Sequence, residues 1–80
     1  MAELTARRLI DLREDRAWSI RRLSSEAGVA PKTIMRIEAG QDIRPASVAR
    51  IAAALGVEPM TIQEYRDQRA RTQKGRDLAN

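Results

Sequence analysis

SIRRLSSEAGVAPKTIMRIEAG, residues 19–40, is the stretch on which the fold turns. Ser19 suits the N-cap of a first short helix, because a side-chain oxygen there accepts a backbone N–H that has no partner. Leu23 and Ala27, four residues apart, lie on one face of that helix. Gly28 follows, and glycine tolerates the left-handed backbone that closes many helices. Pro31 then opens a second helix, at the position where a missing N–H does no harm. Within it Ile34 and Ile37 share a face. Two short helices joined by a tight turn make a helix-turn-helix motif.

At about 100° per residue, Ile37 lies about 60° from Ile34, so the buried direction of the second helix falls between them. The opposite side holds Lys32, Arg36 and Ala39, with Met35 beside them. Two outward cations on the second helix of such a motif suit both phosphate attraction and guanine recognition. The alternative for Lys32 and Arg36 is an ordinary solvated helix face, and the motif around them favours the first reading.

The joint spacing of several short motifs resembles the Cro/lambda-repressor-type (XRE) helix-turn-helix family of phage and bacterial regulators. The match runs from Leu9 to Ile62. It is carried by Leu9, Leu12 and Arg13, then Ser19, Leu23 and Ala27-Gly28-Val29. It continues through Ile34-x-x-Ile37-Glu38-x-Gly40, Arg44-Pro45 and Ala52-x-Ala54-Leu55-Gly56-Val57. Three positions depart from the family pattern. Its usual Gln at the start of the first motif helix is Ile20, its common Ala after the helix leucine is Ser24, and its usual Ser or Thr cap before the second helix is Ala30. The resemblance implies an all-α, compact, five-helix lambda-repressor-like domain. It also implies a semi-buried bridge between Arg13 and Glu38, a phosphate contact from Arg44, and a homodimer surface near Val57, Pro59 and Met60. Few apolar residues are left over there for a dimer to bury.

Composition is compatible with that fold. Eighty residues suffice for one small domain. With no Phe, one Trp and one Tyr, the core has to be aliphatic. No Cys means no disulfide or thiolate chemistry, and no His removes the commonest general base and metal ligand. No catalytic, metal or cofactor site is expected, since the carboxylates sit among Arg neighbours and no glycine-rich phosphate loop or nucleophile–base pair is visible. No apolar run approaches a membrane span, and MAELTARR has no signal-peptide core, so a cytoplasmic protein without membrane contact is expected. The net charge of +4 points to a polyanionic partner.

The remaining segments are assigned around the motif. A first helix is predicted over Glu3–Arg16, with Thr5 as an alternative cap, and Arg13 beside its core-facing stripe. Arg13, Glu38, Gly28, Ile34 and Ile37 are read as architecture. Trp18 suits the hydrophobic-staple position against Leu23. Arg21 and Arg22, exposed on the first motif helix, and Ser19 at its start are candidates for phosphate contact. Residues 41–47 read as a loop in which Gln41 and Ile43 supply at most backbone contacts, and Ser47 caps a fourth helix bearing Val48, Ile51, Ala52 and Leu55. A fifth helix is predicted from Val57 to about Thr72. The domain is taken as residues 1–65, and residues 66–80 as a basic, solvated tail or frayed extension.

The reading that follows is a sequence-specific, double-stranded DNA-binding transcriptional regulator, a repressor. Lys32 and Arg36 would read bases, and Thr33 and Met35 would contact a thymine methyl or a phosphate. Arg21, Arg22, Arg44 and Ser19 would hold the backbone. The alternative is an antitoxin-type interaction module gripping a protein partner through the segment after Tyr65. An RNA-binding adaptor fits less well, because stacking aromatics are nearly absent.

Overall fold

The computed structural model describes residues 5–41 and 43–79, with side chains as far as residue 71. Among the described residues five helices follow in order: α1 (Leu9–Asp15), α2 (Ile20–Ala27), α3 (Pro31–Glu38), α4 (Pro45–Leu55) and α5 (Gln63–Ala79), with a 3-10 turn at Pro59–Thr61 before α5. The all-α expectation holds. The core is aliphatic, as the composition requires: Leu9, Leu23, Ile34, Ile37, Val48, Ile51, Leu55 and Ile62 are fully enclosed, and Tyr65 joins them as the only buried aromatic among the described residues. α2 packs on both α3 and α4, while α3 also touches α1 and α5.

Helix ends follow local chemistry. Ser19 Oγ accepts the Arg22 N–H at 3.0 Å, which caps α2 as expected. Trp18 precedes that cap, packs against the core, and lies under Arg22 at 5.1 Å and Arg16 at 5.5 Å from its ring centre. At Gly28 the backbone turns left-handed, φ +69°, and the Val29 N–H returns to the Ser24 carbonyl. The Ser24 hydroxyl donates to the Val29 carbonyl, so the serine that departs from the family pattern ties the same turn a second time. Ile20, the other departure on α2, is half-buried against the core.

Four boundaries differ from expectation. The first helix begins at Leu9, so Thr5 is not its cap, and positions 3 and 4 lie outside the described residues. Arg7 is drawn into a parallel bridge with Ile62: its N–H meets the Thr61 carbonyl and its carbonyl takes the Gln63 N–H, both at 2.8 Å. Extended backbone there cannot continue a helix. Glu64, whose residue is 5% exposed, then accepts the Leu9 N–H at 3.0 Å, so a carboxylate from α5 caps α1. The same bridge holds Ile62 extended, which delays the fifth helix from Val57 to Gln63. α4 begins at Pro45, not after Ser47, because the fixed φ of proline suits the first helical position. Ile43, expected to offer only its backbone, is 2% exposed and anchors the α3–α4 loop in the core. The backbone of α5 stays helical to Ala79, with Arg66, Asp67 and Ala70 among its exposed positions; the side chains of Lys74 and Arg76 lie outside the described set.

Candidate nucleic-acid interface

The candidate surface is built on the outer face of α3. Ile34 and Ile37 are both completely buried, which fixes the helix's rotation about its axis. Its tilt is held by Arg13 on α1: Nε donates to Glu38 Oε2 at 2.8 Å and Nη2 to Oε1 at 3.3 Å, while Nη1 reaches the Trp18 carbonyl at 2.9 Å. The two side chains are 11% and 13% exposed, so the bridge is semi-buried. The Glu38 hydrogen bond, opposed by burial, raises the Arg13 pKa above its ordinary value.

With the inner face fixed, the outer face presents Lys32, Met35, Arg36 and Ala39 to solvent. Met35 is 56% exposed, the largest exposure of any big apolar side chain among the described residues. An exposed thioether between two cations has no packing role, and it offers apolar area to a partner. α3 begins at Ala30 and Pro31 without a side-chain cap. Its far end closes in a left-handed turn at Gly40, φ +76°. There the Gln41 N–H bonds the Arg36 carbonyl at 2.8 Å and the Gly40 N–H bonds Ile37 at 2.9 Å, the paired bonds of a Schellman closure.

Two shallow clefts meet at Arg36. One is lined by Thr33, Arg36, Arg44 and Ser47, and the other by Lys32, Met35, Arg36 and Gln41. The structure therefore brings Thr33 and Arg44, assigned to different tasks in the sequence, to one side of Arg36. It also adds Ser47 and Gln41, which sequence reasoning used only as a cap and a loop residue. The first cleft offers two hydroxyls and two guanidinium groups, which suits a phosphate. The second offers an ammonium, a guanidinium, a thioether and a carboxamide, which suits base edges.

The cations differ in how far they are already engaged. Arg22 donates to Glu26 at 3.0 Å and stacks on Trp18, so part of its charge is spent within α2. Arg21, Lys32, Arg36 and Arg44 are exposed and pair with no carboxylate among the described residues. Ser19 is exposed and, having accepted the Arg22 N–H, keeps its hydroxyl proton for an outside acceptor. Arg16, which sequence reading left as the end of α1, donates to the Leu55 carbonyl at the C-terminus of α4, where the helix dipole favours a cation. Among the described residues no acidic cluster could hold a metal ion, and no helix is long and apolar enough to cross a membrane.

Comparison with curated proteins and with solved structures gave no match. Comparison with protein families matched residues 5–65 to the family described as "Helix-turn-helix domain", a span that takes in α1 to α4 and the start of α5. That span exceeds half of the 80-residue chain, and the chain belongs to the helix-turn-helix domain family, whose fold suggests a DNA-binding regulator.

Proposed function

We propose that the protein is a sequence-specific double-stranded DNA-binding regulator of the Cro/lambda-repressor (XRE) type, of phage or bacterial origin. It acts in the cytoplasm or nucleoid by binding and not by catalysis. The observation that carries this reading is the division of α3. Ile34 and Ile37 are fully buried, and on the other side Lys32, Met35 and Arg36 stand exposed with no carboxylate partner among the described residues. In this reading α3 enters the major groove. Lys32 and Arg36 meet guanine edges and Met35 meets a thymine methyl, while Thr33, Arg44, Arg21, Ser19 and, more weakly, Arg22 hold phosphates. Repression follows when the bound site overlaps a promoter and excludes the polymerase.

The test is a binding selection from a random duplex pool at about 0.15 M salt, a Debye length of roughly 8 Å, followed by sequencing of the retained DNA. A two-fold symmetric motif with half-sites about one helical turn apart supports a homodimeric regulator. Retention without enrichment refutes sequence reading. A second reading, an interaction module of antitoxin type, is favoured by α5, which continues well past the last core residue as a helix with Arg66, Asp67, Arg69, Ala70 and Arg71 exposed. Truncation after residue 65 separates the two: a DNA reader keeps its motif, whereas a partner-gripping module loses its partner.

A further inference from the structure

We infer that Gln41, beyond the end of the recognition helix, is a fourth base-reading residue and selects an A·T pair next to the G·C pair met by Arg36. The inference rests on the DNA-binding reading above. Gln41 lies three residues past Glu38, where a loop residue would ordinarily diverge from the helix. The Schellman closure prevents that. Gly40 turns left-handed, and the Gln41 N–H is bonded back to the Arg36 carbonyl at 2.8 Å. The backbone of Gln41 is thereby fixed relative to Arg36, and Gln41, an exposed residue, lines one cleft with Lys32, Met35 and Arg36.

Chemistry distinguishes the task of this residue from that of its neighbours. Its carboxamide carries one acceptor and two donor hydrogens and no charge. Such a group lacks the charge by which a guanidinium attracts a phosphate, and it matches adenine, giving a hydrogen to N7 while accepting one from the N6 amine. The thioether of Met35 in the same cleft suits a thymine methyl. The hydroxyls and the guanidinium of Arg44, which suit a phosphate, lie across Arg36 in the other cleft. Because Gln41 is exposed and its N–H bond is made by the backbone, substitution of its side chain leaves the fold intact.

The experiment repeats the duplex selection with the wild-type chain, Gln41→Ala and Gln41→Glu, and measures affinity for single-base variants of the selected site at several salt concentrations. Gln41→Ala is expected to lose about 5- to 150-fold of discrimination at one A·T pair, the range a bidentate base contact supports, with the other positions and the salt slope unchanged. Gln41→Glu is expected to shift preference at that pair towards cytosine, whose N4 amine donates to a carboxylate. An unchanged motif in Gln41→Ala, or equal weakening at every sequence, overturns the role of Gln41 while leaving the DNA-binding reading in place. A wild-type chain that selects no motif overturns both.

Discussion

Glu38→Ala tests the claim that α3 is held by an ion pair and not only by its apolar face. The substitution removes two of the three hydrogen bonds made by the Arg13 guanidinium and leaves only the one to the Trp18 carbonyl. Breaking one partner of a buried pair costs about 3–5 kcal/mol, because the remaining charge stays poorly solvated. Here each side chain keeps about a tenth of its exposure, so some water reaches the orphan, and we take the low end, about 3 kcal/mol. At roughly 0.05–0.15 kcal/mol per residue the chain's whole stability is about 4–12 kcal/mol, so the loss is a large fraction of it. For a domain of this size it corresponds to a fall in Tm of about 12–24 °C.

The assay is thermal melting followed by circular dichroism at neutral pH, with Lys32→Ala beside it. Lys32 is exposed and carries no pair among the described residues, so its loss should stay within about 0.5 kcal/mol. A third variant, Arg13→Met with Glu38→Leu, removes both charges at similar volume. It should recover most of the stability lost by Glu38→Ala, because an apolar pair needs no compensation for desolvation. If Glu38→Ala and Lys32→Ala melt together, the division between an anchoring and a reading residue on α3 is wrong. If the double variant melts as low as Glu38→Ala, shape and not unpaired charge explains the loss.

Gly28→Ala should cost about 1 kcal/mol in chemical denaturation, since space around its Cα is open and only the left-handed φ of +69° opposes a side chain; a neutral result would contradict the αL closure of α2. Glu64→Ala, which removes the carboxylate that caps α1 from α5, should lose about 1.5–3 kcal/mol, whereas Glu64→Gln keeps an acceptor for the Leu9 N–H and should lose less. In acid, the hydrogen bond and charge of Arg7 hold the Asp15 carboxyl below its ordinary pKa. Its contribution is therefore present above the ordinary carboxylate value and lost as pH falls through the lowered one. Carboxyl NMR titration should show Asp15 returning to an ordinary midpoint in Arg7→Gln, and an unmoved midpoint would deny the pair.

What the sequence revealed was local, and what it hid was tertiary. The Ser19 cap, the Gly28 end, and the paired faces of α3 all arise from contacts a few residues apart, so spacing alone exposes them. The start of α1 could not be read that way. Nothing near Leu9 announces that its N–H is met by a carboxylate 55 positions later, or that Arg7 pairs with the backbone around Ile62. Ile43 was legible in principle. A lone branched apolar residue in an otherwise polar loop has one good reason to be there, which is to plug the core. The clefts at Arg36 were hidden for a different reason, since a helical wheel places side chains on α3 but says nothing of where Gln41, Arg44 and Ser47 return to it.

The arrangement has a consequence for how such a surface changes its target. On α3 the residues that fix the helix, Ile34, Ile37 and Glu38, are buried or half-buried, and those proposed to read DNA, Lys32, Met35 and Arg36, are exposed. Exposed substitutions away from special contacts usually move stability by no more than about 0.5 kcal/mol, whereas a single base contact carries about 1–3 kcal/mol of discrimination. Specificity on this face can therefore be rewritten several times over before stability becomes limiting. The Schellman closure extends that freedom past the helix, because it is made by the backbone and fixes position 41 whatever its side chain. The opposite holds for Arg13. Any change there that improved a DNA contact would first unseat the helix that presents the others.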